Sequence, residues 1–161
     1  MTQEVGTFAG GELSIGTTAS AVTQPDFEAD TYTLINELSN MGEFGGASNI
    51  LTFPIVSRLY NKKGKGSRNG GDPVVVVGRI STDPGQVAVR AAEQTNFTYN
   101  FKLEVPDAEG PGFTNTVIYF RAIVASATMQ FGGPEDFRTE TYALGIQGKP
   151  LIVESHAIAS P

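Results

Sequence analysis

Phe97, Tyr99, Phe101, Leu103 and Val105 alternate with Thr98, Asn100, Lys102 and Glu104. That two-residue period predicts a half-buried antiparallel strand over 97–105. The run 116–129 differs. Ile118, Phe120, Ala122 and Val124 make one apolar face; Val117, Tyr119, Ile123, Ala125 and Ala127 make the other nearly as apolar, with Arg121 the exception. A strand apolar on both faces is buried on both, between a sheet and a helix or between a core and another subunit. The turn-forming residues Pro-Asp-Ala-Glu-Gly-Pro-Gly at 106–112 join the two runs into a predicted hairpin. Four consecutive valines at 74–77 centre another buried strand, 72–80. Further strands are predicted at 12–17, 32–38, 49–57, 138–146 and 151–155, with Gln147-Gly148-Lys149-Pro150 as the turn between the last two. Pro54 has no N–H to give to a ladder, which places an edge or a bulge in 49–57.

One segment carries helix signals. Asp83 suits an N-cap, Pro84 suits the first helical position, and Gln86 falls third, as in a variant capping box. Val87, Ala88, Val89, Ala91 and Ala92 follow, predicting a helix over about 83–94. A helix this short is not stable alone, so it is expected to pack on the sheet through Val87, Ala91 and their neighbours. The fold class expected is mainly β: a β-sandwich or barrel with one flanking helix and a long basic loop or β-arm at about 58–71. With 161 residues the chain suits one domain, 1–161, with 1–10 and 156–161 as extended termini.

Charge sharpens this picture. The net charge is −6, yet residues 1–57 hold seven acids and no base, and residues 58–68 hold five bases and no acid. Without that segment the remaining residues sum to −11. The bases are Arg58, Lys62, Lys63, Lys65 and Arg68, spaced by glycines and accompanied by Tyr60. A nucleic-acid reader interleaves more aromatics and has a basic surround; here the surround is acidic. Docking onto an acidic surface of a neighbouring copy fits the arithmetic better. Asn69-Gly70 suits a tight hairpin turn, so the loop is expected as a β-arm.

Catalytic hardware is sparse. There is no cysteine and a single histidine, His156, so thiolate chemistry, disulfides and a multi-histidine cage within one chain are excluded, and no metal or cofactor is expected. Gly64-Lys65-Gly66-Ser67 lacks the spacing of a phosphate loop, and no Gly-x-Ser-x-Gly elbow occurs. Glu135 and Asp136 are adjacent loop acids, Asp107 and Glu109 are too few for a calcium loop, and His156 suits a surface or an interface. No apolar run approaches the roughly 18–20 residues of a membrane helix. The first base is Arg58, so the basic flank of a signal peptide is not expected. The reading is a non-enzyme with no membrane partner.

The order of several short elements adds to this. Glu12-Leu-Ser-Ile-Gly-Thr17 is followed by Tyr32-Thr-Leu-Ile-Asn-Glu-Leu38, Met41-Gly-Glu-Phe-Gly-Gly46 and Asn49-Ile-Leu-Thr52. After the basic loop come Gly71-Asp-Pro-Val-Val-Val-Val-Gly-Arg79, Asp83-Pro-Gly-Gln-Val-Ala-Val-Arg-Ala-Ala92, Tyr99-Asn-Phe-Lys102 and Tyr119-Phe-Arg121. Over roughly 10–155 this resembles the major tail tube proteins of long, flexible-tailed, lambda-like phages. The resemblance implies a structural virion protein with no active site, assembled in the bacterial host cytoplasm into the tail. Six copies would form a ring, with sheets of neighbours joined into one barrel around the lumen. Rings would stack into a hollow tube that encloses the tape-measure protein and conducts double-stranded DNA, bounded by tail terminator and distal tail proteins. The loop at Tyr60 to Gly71 matches the one that typically reaches an adjacent ring in this family. An acidic lumen would repel DNA phosphate, and acids at strand positions, Glu37 and Glu104, are the candidates. Two alternatives compete: another phage ring or shell component, such as a decoration or tail terminator protein, and a monomeric β-sandwich binding module.

Overall fold

The computed structural model describes residues 4–159. In order these form β1 (Glu12–Ile15), α1 (Gln24–Glu28), β2 (Thr33–Ile35), β3 (Leu38–Asn40), β4 (Ala47–Phe53), β5 (Lys62–Asn69), β6 (Val74–Gly78), α2 (Pro84–Glu93), β7 (Tyr99–Val105), β8 (Thr116–Gln130) and β9 (Thr139–Val153). Among the described residues no helix is long and apolar enough to cross a membrane. The extended termini expected at 1–10 and 156–161 lie partly outside the described residues. Within them, His156 and Ile158 are tied back: the Thr114 N–H donates to the His156 carbonyl (2.8 Å) and the Ile158 N–H to the Gly112 carbonyl (2.7 Å).

Seven strands form one sheet in the order β2-β1-β7-β8-β9-β6-β3, and β4 pairs only with β5. All pairings are antiparallel, as hairpin and meander connections allow. The two outermost strands, β2 and β3, are consecutive in sequence, so the sheet curls into a nearly closed barrel whose seam is crossed by the chain itself. The expected single strand 32–38 therefore breaks in two. The break lies at Glu37, whose φ of 61° is the left-handed conformation a strand cannot contain. The Glu37 carbonyl accepts from the Gly78 N–H at 2.8 Å, joining the seam to β6.

The inner face is the core. Phe101 and Phe120 lie directly opposite each other in the β7–β8 ladder and stack with ring centroids 5.3 Å apart. Leu13, Ile15, Ile35, Val75, Val77, Leu144 and Ile146 fill the space around them. Val89 and Ala92 of α2 enter the same cluster. The packing face of the helix is thus rotated from the expected one: Val87 and Ala91 are exposed. The cause is Gly85, which lies so close to the Leu34 carbonyl that a Cβ would clash, seating that turn of the helix on β2. Asp83 does cap the helix, accepting from the Gln86 N–H. Gln86 does not complete a capping box. Its fully buried amide donates to the Gly78 and Asn36 carbonyls (2.8 and 3.1 Å) and accepts from the Ile80 N–H (2.8 Å). With Asp83, which accepts from the Asn36 N–H, it clasps the barrel seam where no ladder joins β2 to β3.

Two further expectations change. The segments 138–146 and 151–155 are one strand, β9, because Gln147-Gly148-Lys149-Pro150 bulges instead of reversing: Tyr119 pairs Leu151 while Arg121 pairs Gln147. Gly148 supplies the required positive φ, 81°. The short helix α1 was not expected. It belongs to a strap, residues 17–32, laid over the outer face of the sheet. Phe27 stacks on Tyr119 at 5.4 Å, and Ala21 is buried with them. This is how β8 comes to be covered on its second face near Tyr119.

Candidate assembly surfaces

The basic segment folds as the expected β-arm, with a different turn. β4 and β5 pair from Ala47↔Asn69 to Phe53↔Lys62, so the arm reverses at 54–61, beyond Pro54. Asn69-Gly70 is at its root. There the Asn69 side chain accepts from the Gly71 N–H (3.0 Å), an Asx turn that redirects the chain into β6. Arg58 and Tyr60 lie in the tip turn, and Lys62, Lys63, Lys65 and Arg68 lie on β5. Cross-strand pairs place Lys62 beside Phe53, Lys63 beside Thr52, Lys65 beside Ile50 and Arg68 beside Ser48. The structure thus brings all six predicted residues onto one element. No acid occurs between Glu43 and Asp72 to neutralise them.

Sequence reasoning missed the arm's apolar content. Ile50, Leu51 and Phe53 are exposed, and at the tip Leu59 is 99% and Tyr60 85% accessible. Ile50 and Leu51 point to opposite faces of the arm, so exposure of both means that neither face rests on the barrel. An isolated two-stranded hairpin is marginal in water, and exposed apolar side chains clustered on one projection mark an interaction site. The available signal was a run, Ile50-Leu-Thr-Phe-Pro-Ile-Val56, with no alternation to hide one face.

The long strands supply a second surface. β7 pairs with β8 only over Thr116 to Ala122, so among the described residues that edge of β8 has no strand partner from Ile123 onward. β6 pairs with β9 only over Thr139 to Ala143, and the backbone of Pro73 and Gly71 extends this to Ile146. Beyond Ile146 the outer edge of β9 has no strand partner among the described residues. The two half-edges without a strand partner lie on opposite sides and at opposite ends of one ribbon. The β9 half-edge borders an open cleft at the arm's root, lined by Phe44, Gly46, Gly70, Ile146, Pro150 and Ile152.

The two candidate lumen acids are not brought together. Glu37 is exposed at the seam, off any strand, near the Gly78 and Thr139 end of the barrel. This corrects its expected strand position. Glu104 is on β7 as expected, half-buried on the outer face, opposite Glu12 and Val117 and thus at the other end. It accepts from the Asn115 amide at 3.0 Å. His156 is exposed, as expected, beside Thr114.

Two polar networks, one centred on buried Glu140 and one on half-buried Asp30, tie the body together behind these surfaces. Glu140, 1% exposed, pairs with Arg79 (3.1 Å) and Arg90 (2.9 Å), tying α2 to β9 and β6. Asp30 pins the strap. Burial raises its carboxyl, but hydrogen bonds from the Thr17 hydroxyl and N–H, the Asn100 amide and the Thr31 N–H outweigh that and hold it below the ordinary value. Asp83 behaves alike: burial opposes its charge, and the Asn36 side chain, the Gln86 and Asn36 N–H groups and nearby Arg90 lower it on balance.

No protein-family model matches the sequence, and no curated protein does. Solved structures do. The SPP1 tail tube, a hybrid solid-state NMR and cryo-EM structure, superposes with a TM-score of 0.60 at 16% identity, covering 88% of this chain and 76% of that one. A chain of the anti-feeding prophage baseplate, solved by cryo-EM with 6-fold symmetrisation, superposes with a TM-score of 0.67 at 10% identity, covering 96% of this chain and 98% of that one. At such identities the likeness is one of fold. The curled sheet with its flanking helix and projecting arm is a phage tail tube-like fold.

Proposed function

We propose that this chain is a structural subunit of a phage-type tail. Copies close into six-membered rings, and rings stack into a hollow tube that encloses a tape-measure protein and conducts double-stranded DNA. The tube is capped by terminator and distal tail proteins, and it is built in the host cytoplasm and carried in the virion. The observation that carries this reading is the arm: five cations and an exposed apolar surface on a hairpin that touches neither face to its own barrel. The half-edges of β8 and β9 that lack a strand partner support the ring. They lie diagonally on one ribbon, so pairing β9 of one copy with β8 of the next uses two different patches, and such a heterologous contact closes only as a ring. Within the tube, an acidic wall would keep DNA phosphate from adhering.

A second reading is a ring of a baseplate or terminator, favoured by the nearly complete coverage of the anti-feeding prophage baseplate chain. Electron microscopy of the concentrated protein separates the two: extended tubes support the first, single rings the second. The variant Lys62→Glu/Lys63→Glu/Lys65→Glu is expected to stay folded by circular dichroism while losing stacked particles. If it stacks as well as the native chain, or if the native chain yields neither rings nor tubes, the reading fails.

A further inference from the structure

The β8–β9 turn, residues 131–138, has the sequence Phe-Gly-Gly-Pro-Glu-Asp-Phe-Arg. Its geometry is fixed: the Asp136 carboxylate accepts from the Gly133 N–H at 2.9 Å, and Gly132 takes a φ of 65°. Yet its large side chains face solvent. Phe137 is 91% accessible, and Phe131 and Met129 are exposed beside it. Glu135 and Asp136 lie between the two phenylalanines. Exposed Glu37 adds a third acid at this end of the barrel, bordering one hollow with Phe137. The bases here are Arg138, which is exposed, and Arg79 and Arg90, which share buried Glu140. This end is therefore apolar with a net negative charge.

The arm is its chemical complement, apolar with five cations, and it leaves the body elsewhere. Followed backwards from Gly78 to Gly70, the chain runs along β9 from Thr139 to Gly148. Nine residues of strand separate the turn from the arm's root, about 30 Å at roughly 3.3 Å per residue. Arg68 and Asn69, the first arm residues beyond the root, line one cleft with Pro150 and Ile152, further still from the turn. The root of a copy's own arm and its turn are thus at opposite ends of the barrel, the placement that a contact between copies aligned head to tail requires.

We propose that the β8–β9 turn is the receptor for the arm of another copy. The tip side chains Leu59 and Tyr60 pack against Phe131 and Phe137, and the arm's lysines face Glu135 and Glu37. This rests on the stacking reading above and names its acceptor. Because knob and receptor are different patches at opposite ends, each docked copy presents a fresh receptor, and the contact propagates as an open stack.

The chain contains no cysteine, so one introduced pair reports one contact. The full-length Leu59→Cys/Phe137→Cys variant, oxidised at high concentration, is expected to give a covalent ladder of dimers and higher species on non-reducing gels. Adding Glu135→Lys is expected to cut the ladder about five-fold, the effect of roughly 1 kcal/mol from one solvent-facing charge pair. All substitutions are at exposed positions, and circular dichroism checks the fold. A Leu59→Cys/Glu28→Cys variant puts the second thiol on the acidic strap instead. Rings or tubes by microscopy without a 59–137 ladder, or a ladder through Glu28→Cys alone, overturn the turn as receptor and leave stacking intact. No ladder and no assembled particle in any variant overturns both.

Discussion

The barrel and the arm are built from similar residues and end in opposite states. In the barrel, alternate residues of β7 and β8 meet across the ladder and vanish from solvent, as Phe101 and Phe120 do. In the arm, Phe53 and Ile50 pair with lysines, and both sides of the hairpin remain wet. Seven strands curled on one another have an inside; two strands alone do not. An apolar side chain in the barrel stabilises the monomer. The same side chain in the arm has no use until a second copy supplies the missing layer.

The sharpest way to break this comparison is one truncation in each region. Phe120→Ala removes a ring that stacks on Phe101 and meets Phe44 edge-on at 5.1 Å. It is expected to cost about 3–5 kcal/mol of unfolding free energy. Phe53→Ala in the arm is expected to change monomer stability by less than about 0.5 kcal/mol. Urea unfolding of both variants measures the contrast. A large loss from Phe53→Ala would show that the arm packs on its own barrel after all.

Charge divides the same way. The arm's cations are solvated, whereas Glu140 is buried between two guanidinium groups. Glu140→Ala leaves Arg79 and Arg90 half-buried and facing each other, and it removes the tie between α2 and β9. A loss of about 2–4 kcal/mol is expected, less than for a fully buried ion because both arginines reach solvent. Glu140→Gln should recover part of it by keeping a hydrogen-bond acceptor. Equal stability of Glu140→Ala and the native chain in urea would mean that α2 is held by Val89 and Ala92 alone.

Much of this division was legible in the sequence. The alternation at 97–105 has a two-residue period that only a strand satisfies, and β7 occupies it from Tyr99 on; the doubly apolar run at 116–129 is the long strand β8. The basic segment was visible as an arm because five cations without an acid cannot be buried. What was hidden depended on contacts between distant residues. Glu37 breaks 32–38 because the barrel closes there, which nothing local to those residues reveals. The face of α2 was misjudged because one close approach, Gly85 on the Leu34 carbonyl, overrides the hydrophobic pattern. Residues 147–150 have turn chemistry and yet bulge, since β8 runs alongside without interruption and holds the strand to its course. The β8–β9 turn was legible in part: Glu135 and Asp136 read as loop acids, while Phe131 and Phe137 fall between the predicted strands 116–129 and 138–146 and carried no signal of their own.

The smallest effect sharpens the comparison most, because it tests whether the body can be made to resemble the arm. The strap is the barrel's only cover over Tyr119 among the described residues, and Asp30 fastens it through Thr17, Asn100 and Thr31. Its folded pKa lies below the ordinary carboxyl value, so the unfolded chain binds the proton more readily. The stabilisation is therefore present above that ordinary value and is lost as pH falls through the lower folded one. Asp83 has the same sign and loosens the seam in the same range. Below about pH 4, hydrogen exchange is expected to accelerate, beyond its intrinsic pH dependence, in residues 17–32. The arm, with no carboxylate between Glu43 and Asp72, is expected to show no such change. Asp30→Asn cannot accept from all these donors at once, so it should lower stability near neutral pH by about 1–2 kcal/mol and flatten the acid limb. If the strap stayed protected at low pH while the arm did not, the fastening would be apolar, through Phe27 on Tyr119, and Asp30 would be incidental to it.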